Sequence, residues 1–229
     1  MNFVFDVDGT LTPSREKINQ DFESWFTAFC EKNNVYLCSG SDYAKTLEQL
    51  GKTICETSKA VYSCSGNAKY VNGLLQYSND FELRLDEKEF ILNYLEKSPF
   101  KMRTGNHLEH RLGLYNFSVV GRGANKEQRK LYFDYDSQNK ERLTMANQIN
   151  NVFKRLEATV AGETGIDIYL RGKDKSQISE EVKPFTFFGD SIYVGGNDYS
   201  LAMKSDKYYH VSDWEETWKI LKEIDDDMG

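Results

Sequence analysis

Four times along this chain a short β-branched and aromatic run stops abruptly in a loop of small or acidic residues. The runs are FVFDVDGT from Phe3, NVYLCSGSD from Asn34, AVYSCSGN from Ala60 and PFTFFGDS from Pro184. Runs of this composition predict short strands. Helical patterns lie between them. Phe22, Trp25, Phe26 and Phe29 recur at i, i+3, i+4 and i+7, one apolar helix face. Asp42 predicts the N-cap of a second helix through Leu47 and Leu50 to Gly51. A helix from Asp198, a strand KYYHVS and a closing helix with Trp214, Trp218 and Leu221 on one stripe complete the series. Strand alternating with helix predicts an α/β fold: a Rossmann-like parallel sheet core with helices on both faces. Asn72-Gly73, flanked by Tyr70-Val71 and Leu74-Leu75, predicts a hairpin beside it.

Residues 80–170 read differently. A helix DEKEFILNYLEK precedes the strand-rich run EHRLGLYNFSVV, a helical stretch near NQINNVFKRLE, and the strands ATVAG and IDIYL. None of these strands ends in an acidic loop. The expectation is an inserted α+β cap at 80–170 within a discontinuous core at 1–79 and 171–229.

The 229 residues suffice for such a pair of units, and 28% charged with 39% hydrophobic residues is ordinary for a globular protein. A net charge of −7 argues against a general nucleic-acid or anionic-membrane surface. No stretch approaches the roughly 20 apolar residues that span a bilayer. No basic segment leads into an apolar one ahead of Phe3, so no cleavable leader is expected. Cys30, Cys38, Cys55 and Cys64 form no CxxC pair and are expected to be reduced structural thiols of a cytoplasmic protein. The run DDD at 225–227 is expected to be a solvated end.

In open parallel sheets ligands bind beyond the carboxyl ends of strands. Those ends carry Asp6 and Asp8, then Ser39 and Ser41, then Asp190, Asn197 and Asp198, with Lys175 ahead of the last strand group. Asp and Gly alone would signify only a turn. Three or more carboxylates at one rim repel one another, however, and burying them without a counter-charge is costly, so a cation or a lysine belongs among them. Hard oxygen donors without a convergent His or Cys suit Mg²⁺. Magnesium, a lysine and a serine hydroxyl together make a phosphate site.

The set resembles the haloacid dehalogenase superfamily of phosphotransferases. Its DxDGT motif stands as Asp6-Val7-Asp8-Gly9-Thr10, its Ser/Thr as Ser39, its Lys as Lys175 and its acidic loop as GDSIYVGGND led by Asp190. The resemblance implies that Asp6 becomes an aspartyl-phosphate and that Asp8, two residues on and expected on the same side of a strand, is general acid and then base. Lys175 and Mg²⁺ neutralise charge, Ser39 donates to the phosphoryl oxygens, and Asp6, Asp8, Asp190 and Asp198 form the metal set.

A narrower similarity covers nearly the whole chain. TPSREKI, SGSDYAKTLEQLG, HRLGLYNFSVVGR and FGDSIYVGGND resemble the eukaryotic-type phosphomannomutases. That implies interconversion of mannose 6-phosphate and mannose 1-phosphate through a hexose 1,6-bisphosphate, which also activates the enzyme, and a supply of mannose toward GDP-mannose. It further implies a cap-to-cap homodimer, with Arg111, Arg122 and Arg129 of the cap, Arg15 of the core, and Asp167 and Gly165 binding substrate. Three arginines within 19 residues of an acidic chain independently suit bidentate capture of phosphate. Leu112, Gly165, Lys204 and Ser39 stand where that family carries Asn, Ser, an acidic residue and Gly. A Mg²⁺-dependent sugar-phosphate phosphatase is therefore an alternative. So is a non-catalytic sugar-phosphate binder, although binding alone has no use for the nucleophile of the DxDGT motif.

Overall fold

The structure, a computed structural model, describes residues 2–228, with side chains through Asp226. In chain order the first half runs β1 (Asn2–Phe5), α1 (Gln20–Lys32), β2 (Asn34–Cys38), α2 (Tyr43–Thr57), β3 (Ala60–Ser63), β4 (Ala68–Val71), β5 (Leu74–Ser78), α3 (Leu85–Lys97), β6 (Leu108–Arg111) and β7 (Leu114–Phe117). Then come α4 (Lys126–Asn139), α5 (Glu141–Val152), β8 (Leu156–Ala161), β9 (Gly165–Leu170), a 3₁₀ turn Lys175–Ile178 running into α6 (Ser179–Val182), β10 (Phe185–Gly189), α7 (Tyr199–Ala202), β11 (Lys207–His210) and α8 (Trp214–Met228).

Seven strands form one sheet in the order β11-β10-β1-β2-β3-β4-β5. The first five in that order run parallel, and β4 and β5 close the edge antiparallel. The pleat of β1 explains why helices lie on both faces. Phe3 and Phe5 join Phe22, Phe26, Phe29, Leu50, Ile54 and Leu221 from α1, α2 and α8, whereas Val4 joins Ile178, Val182 and Leu201 on the other side. This mixed, mainly parallel sheet is the predicted α/β core. Asn72 (φ 49°) and Gly73 (φ 77°) are both left-handed, as the two-residue β4–β5 turn requires.

The local caps follow the sequence. Asn19 Oδ1 accepts from Asp21 N at 2.9 Å and Phe22 N at 3.1 Å to start α1, and Asp42 Oδ1 accepts from Lys45 N at 2.8 Å to start α2. Gly51, expected to end α2, is instead a kink (φ 77°), after which the helix resumes to Thr57. A glycine can take that conformation without ending the element, because Ile54 and Cys55 beyond it still bury against the core. All four cysteines are buried free thiols, and burial pushes each up to about 12. Of the run 225–227, Asp225 lies 3.8 Å from Lys32 and Asp226 is exposed. The Asp227 side chain lies outside the described residues. No described helix is long and apolar enough to cross a membrane.

A second, antiparallel sheet in the order β6-β7-β9-β8 packs against α3, α4 and α5 through Ile91, Tyr132, Met145 and Ile149. Here the sequence reading needed two corrections. The helix expected through NQINNVFKRLE stops at Val152, because Leu156–Ala161 form β8 and pair along β9 from Leu156↔Leu170 to Ala161↔Gly165. Sheet pairing outweighs local helical pattern there. The expected single helical stretch is two helices. Asn125 and Gln128 cap α4 reciprocally, and the left-handed Lys140 (φ 53°) joins it to α5. Cys64, Leu114, Tyr169 and Phe81 pack where the two sheets meet. At that junction Gly113 (φ 68°) lies so close to the 79 carbonyl that a Cβ would stand 1.9 Å from it.

Candidate active site

Asp6 follows β1 directly, and its N–H donates to the Phe188 carbonyl at 2.9 Å, which extends the β1–β10 ladder by one residue. The chain then turns: the N–H groups of Thr10, Leu11 and Thr12 all approach the Val7 carbonyl, at 3.3, 2.9 and 3.1 Å. Gly9 makes this turn possible. Its φ is +84°, and a Cβ there would stand 2.4 Å from Asp190 Oδ2. Asp6 and Asp8 thus sit on a loop and not on one pleated strand, so the strand-spacing rationale for their common direction does not apply.

Lys175 is fully buried and joins two of the strand ends. Its Nζ donates to Asp6 Oδ1 at 2.5 Å and to Asp198 Oδ1 at 2.6 Å. Oxygens of Asp6, Asp190 and Asp198 lie within 4.8 Å of one another. Burial pushes Asp6 up to about 7, against the pull of Lys175. Burial, reinforced by Asp6 and Asp198, holds Asp190 well above the usual carboxylate range. Burial alone would lower Lys175, but Asp198 and Asp6 outweigh it and hold it well above the ordinary lysine value. Three carboxylates, Asp6 and Asp198 buried and Asp190 half-buried, thus gather around one ammonium that bonds to two of them, which leaves a surplus of negative charge.

Asp8 lies outside that trio. Its Oδ1 accepts from Arg15 N at 2.5 Å and Gln49 Nε2 at 3.0 Å, and its Oδ2 accepts from Ser41 Oγ at 3.4 Å. Ser39, 1% exposed, accepts from Ser41 N at 3.0 Å through its Oγ and sits at the end of β2 beside Gly40.

The second sheet covers these groups with basic side chains. A single cleft is lined by Asp6, Asp8, Ser39 and Asp190 on the core side and by Arg111, Arg122, Arg129 and Asp167 on the other, with Arg15 and Gly165 also at its wall. Arg111 donates to the Gly40 carbonyl at 2.9 Å and Arg129 to Ser14 Oγ at 3.1 Å, so two cap arginines bond directly to core loops. Glu109 Oε2 accepts from Arg111 at 2.5 Å and lies 3.2 Å from Arg122 Nε, and Glu163 pairs with Arg129 at 2.5 Å. These two carboxylates do not neutralise the group. Burial, then Arg111, brings Arg122 down to about 10, and burial, then Arg129, lowers Arg15. Crowded guanidiniums are what an entering dianion would relieve.

Asn116, which the sequence reading missed, organises the wall of the cleft around Asp167. Its Nδ2 donates to Asp167 Oδ1 at 2.8 Å and its Oδ1 accepts from Arg122 at 3.2 Å. Gly165 is explained by this pair, since a Cβ there would stand 2.6 Å from Asn116 Nδ2. Gly40 likewise leaves room for Asp167, whose Oδ2 would be 2.7 Å from a Cβ at 40. Asn197 lines the same cleft, and Leu112 is 37% exposed and does not line it. Lys204 is exposed just beyond α7. Gln49 and Glu109 were also missed. Their only signals in the sequence were a polar residue on the apolar side of a helix and an acid two residues before an arginine.

A model of the eukaryotic phosphomannomutases matches residues 22–226. The chain belongs to the eukaryotic phosphomannomutase family. It is 32% identical over 235 residues to the phosphomannomutase of Saccharomyces cerevisiae, covering 96% of this chain and 92% of that one. To the phosphomannomutase of Spinacia oleracea it is 31% identical over 233 residues, covering 96% and 94%. Among solved structures, Plasmodium falciparum IMP-nucleotidase superposes with a TM-score of 0.65 at 17% identity, covering 96% of this chain and 67% of that one. A sugar phosphatase of haloacid dehalogenase subclass IIB superposes with a TM-score of 0.58 at 16% identity, covering 97% and 98%. The fold is thus that of the haloacid dehalogenase superfamily, and the chain is an enzyme of the phosphomannomutase type.

Proposed function

We propose that this enzyme interconverts mannose 6-phosphate and mannose 1-phosphate through a phosphorylated Asp6 and a hexose 1,6-bisphosphate. The observation that carries the reading is the single cleft with Asp6, Asp8 and Asp190 on one wall and Arg111, Arg122 and Arg129 on the other, with Lys175 buried behind Asp6. One phosphate can face the carboxylate rim while the arginines hold the other, and a bisphosphate bound in either orientation meets the same two environments. An Asp6 oxygen attacks phosphorus, the P–O bond to the sugar breaks, and the departing oxygen takes its proton from Asp8. Lys175 screens the anionic nucleophile from the anionic phosphate. The cap covers the site and limits access of water to the phosphoenzyme.

Asp6, Asp190 and Asp198 fit a hard divalent cation. Two buried carboxylates and the half-buried Asp190, with oxygens within 4.8 Å and one lysine between them among the described residues, leave the charge that Mg²⁺ would balance. A bound Mg²⁺ would supply charge neutralisation at the phosphoryl oxygens. Asp8, included in the metal set on the sequence, turns its carboxylate to Arg15, Gln49 and Ser41. In this reading Ser39 donates to phosphoryl oxygens, and Arg15, Gly165 and Asp167 complete the substrate wall. From the family we take, within the same proposal, a cytoplasmic location, a cap-to-cap homodimer, activation by a hexose 1,6-bisphosphate and a role in supplying GDP-mannose.

The test is incubation with mannose 1-phosphate, Mg²⁺ and a trace of glucose 1,6-bisphosphate. Mannose 6-phosphate formed faster than inorganic phosphate is the expected result. Inorganic phosphate alone would make the protein a sugar-phosphate phosphatase, and binding without turnover would reduce it to a binder.

A further inference from the structure

Gln49 is a polar side chain on the buried side of α2, 1% exposed, on the same helix face as Thr46, Leu50 and Ile54. Its Nε2 donates to Asp8 Oδ1 at 3.0 Å and Thr12 Oγ1 at 3.1 Å, with the Glu16 carbonyl at 3.3 Å. A carboxylate and a carbonyl can only accept, so the amide must face them with its nitrogen. The opposite end of the same amide, Oε1, is then left buried with no hydrogen-bond partner. A buried acceptor without a donor costs stability, and an apolar side chain of similar volume would avoid that cost. The residue is therefore explained by its donors and not by its packing.

Its backbone works on the same loop. The Gln49 carbonyl, two residues before the Gly51 kink, accepts from Ile18 N at 2.9 Å. Side chain and main chain together tie residues 12, 16 and 18 to α2. That loop carries Arg15, whose N–H is the second donor to Asp8 Oδ1, at 2.5 Å. Asp8 therefore has two N–H donors on one oxygen, while the other meets only the Ser41 hydroxyl at 3.4 Å. One oxygen is pinned and the other is left for chemistry.

We propose that Gln49 is a positioning residue for proton transfer by Asp8. It holds Oδ1 so that Oδ2 faces the bridging oxygen of the substrate, and it keeps the Arg15 loop in register with it. The inference rests on the assignment of Asp8 as the proton carrier. In that step the Asp6 oxygen–phosphorus bond forms, the phosphorus–sugar oxygen bond breaks, and the electron pair left on the sugar oxygen takes the proton from Asp8 Oδ2. Without the amide the Asp8 carboxyl can rotate, and its two oxygens exchange places.

The leaving group separates this role from a structural one. A sugar alkoxide needs the proton as it departs, whereas 4-nitrophenolate leaves without it. Single-turnover phosphorylation of Asp6 is measured with glucose 1,6-bisphosphate and with 4-nitrophenyl phosphate, for wild type and Gln49→Met. The bisphosphate reaction is expected to slow on the order of 10- to 100-fold while the aryl reaction stays within about threefold. Equal loss on both substrates would make Gln49 a packing residue, and no loss on either would remove it from the mechanism. Gln49→Leu gives the same ratio should the methionine variant fail to fold. If wild type labels with neither substrate, the phosphoenzyme reading itself falls, a result distinct from either outcome for Gln49.

Discussion

Lys175→Met would remove the ammonium that the buried carboxylates Asp6 and Asp198 share beside Asp190. Lys175 Nζ stands 2.5 Å from Asp6 and 2.6 Å from Asp198, with all three side chains at most 6% exposed. At an effective dielectric near 20, each contact represents about 6 kcal/mol of Coulomb attraction. Desolvation of the three groups cancels most of that. What deletion exposes is the penalty for carboxylates left buried without a counter-charge, about 3–5 kcal/mol. The penalty applies only to ionised groups, so it must vary with pH. Burial already pushes Asp6 up to about 7, and without the lysine both Asp6 and Asp190 rise further.

The sign follows from proton binding. An acid whose pKa is higher folded than unfolded holds more protons in the native state, so stability falls as pH rises through that interval. The deficit of Lys175→Met is therefore expected to be small near pH 5 and to grow as pH rises past 7, so that it is larger near pH 8. Added Mg²⁺ should recover much of it near pH 8 if the trio binds the ion. Urea titrations at both pH values, with and without Mg²⁺, measure all four quantities. A deficit below about 1 kcal/mol near pH 8, or one that does not change with pH, would refute the reasoning that these carboxylates depend on Lys175 for their charge.

Asp6→Asn should abolish labelling by glucose 1,6-bisphosphate. In the metal-free protein it should also flatten the loss of stability between about pH 4 and pH 7, since the raised Asp6 pKa of about 7 produces that slope. Retained labelling or an unchanged slope, read by mass spectrometry and denaturant titration, would contradict its placement. Arg111→Ala should raise the apparent KM for a hexose bisphosphate by about 10- to 100-fold while changing hydrolysis of a small aryl phosphate less than about threefold. Equal effects on the two substrates would argue against a phosphate clamp. Gly165→Ala would bring a methyl group within 2.6 Å of Asn116 Nδ2. It should cost about 1–3 kcal/mol in urea titrations and weaken sugar-phosphate binding, because Asn116 holds Asp167. Unchanged stability would mean that Asn116 has room to move.

Much of the core was legible because its signals are local. Asp42 announces a helix start, Asn72-Gly73 can supply two left-handed residues in succession, and alternate residues of FVF reach opposite faces of one sheet. Reading failed where a distant partner decided the matter. Residues 156 and 157 read as helix until β9 is present to pair with them. Gly51 reads as a helix end until the buried residues after it are seen to continue the same face. Gly165, which in sequence only stands where the family carries Ser, is seen in three dimensions to make room for Asn116.

The amino-acid order alone determined the types of element, the loops that carry chemistry and the residue kinds a phosphoryl group requires. Tertiary structure decided which of those groups meet. Lys175 and Asp6 are 169 residues apart, and Gln49 and Asp8 are 41 apart. The reason is physical: periodicity records which side of an element is buried, because burial depends on neighbours three or four positions away. It carries no record of which distant polar atom lies opposite that side, because that partner is chosen only when the sheets and helices pack.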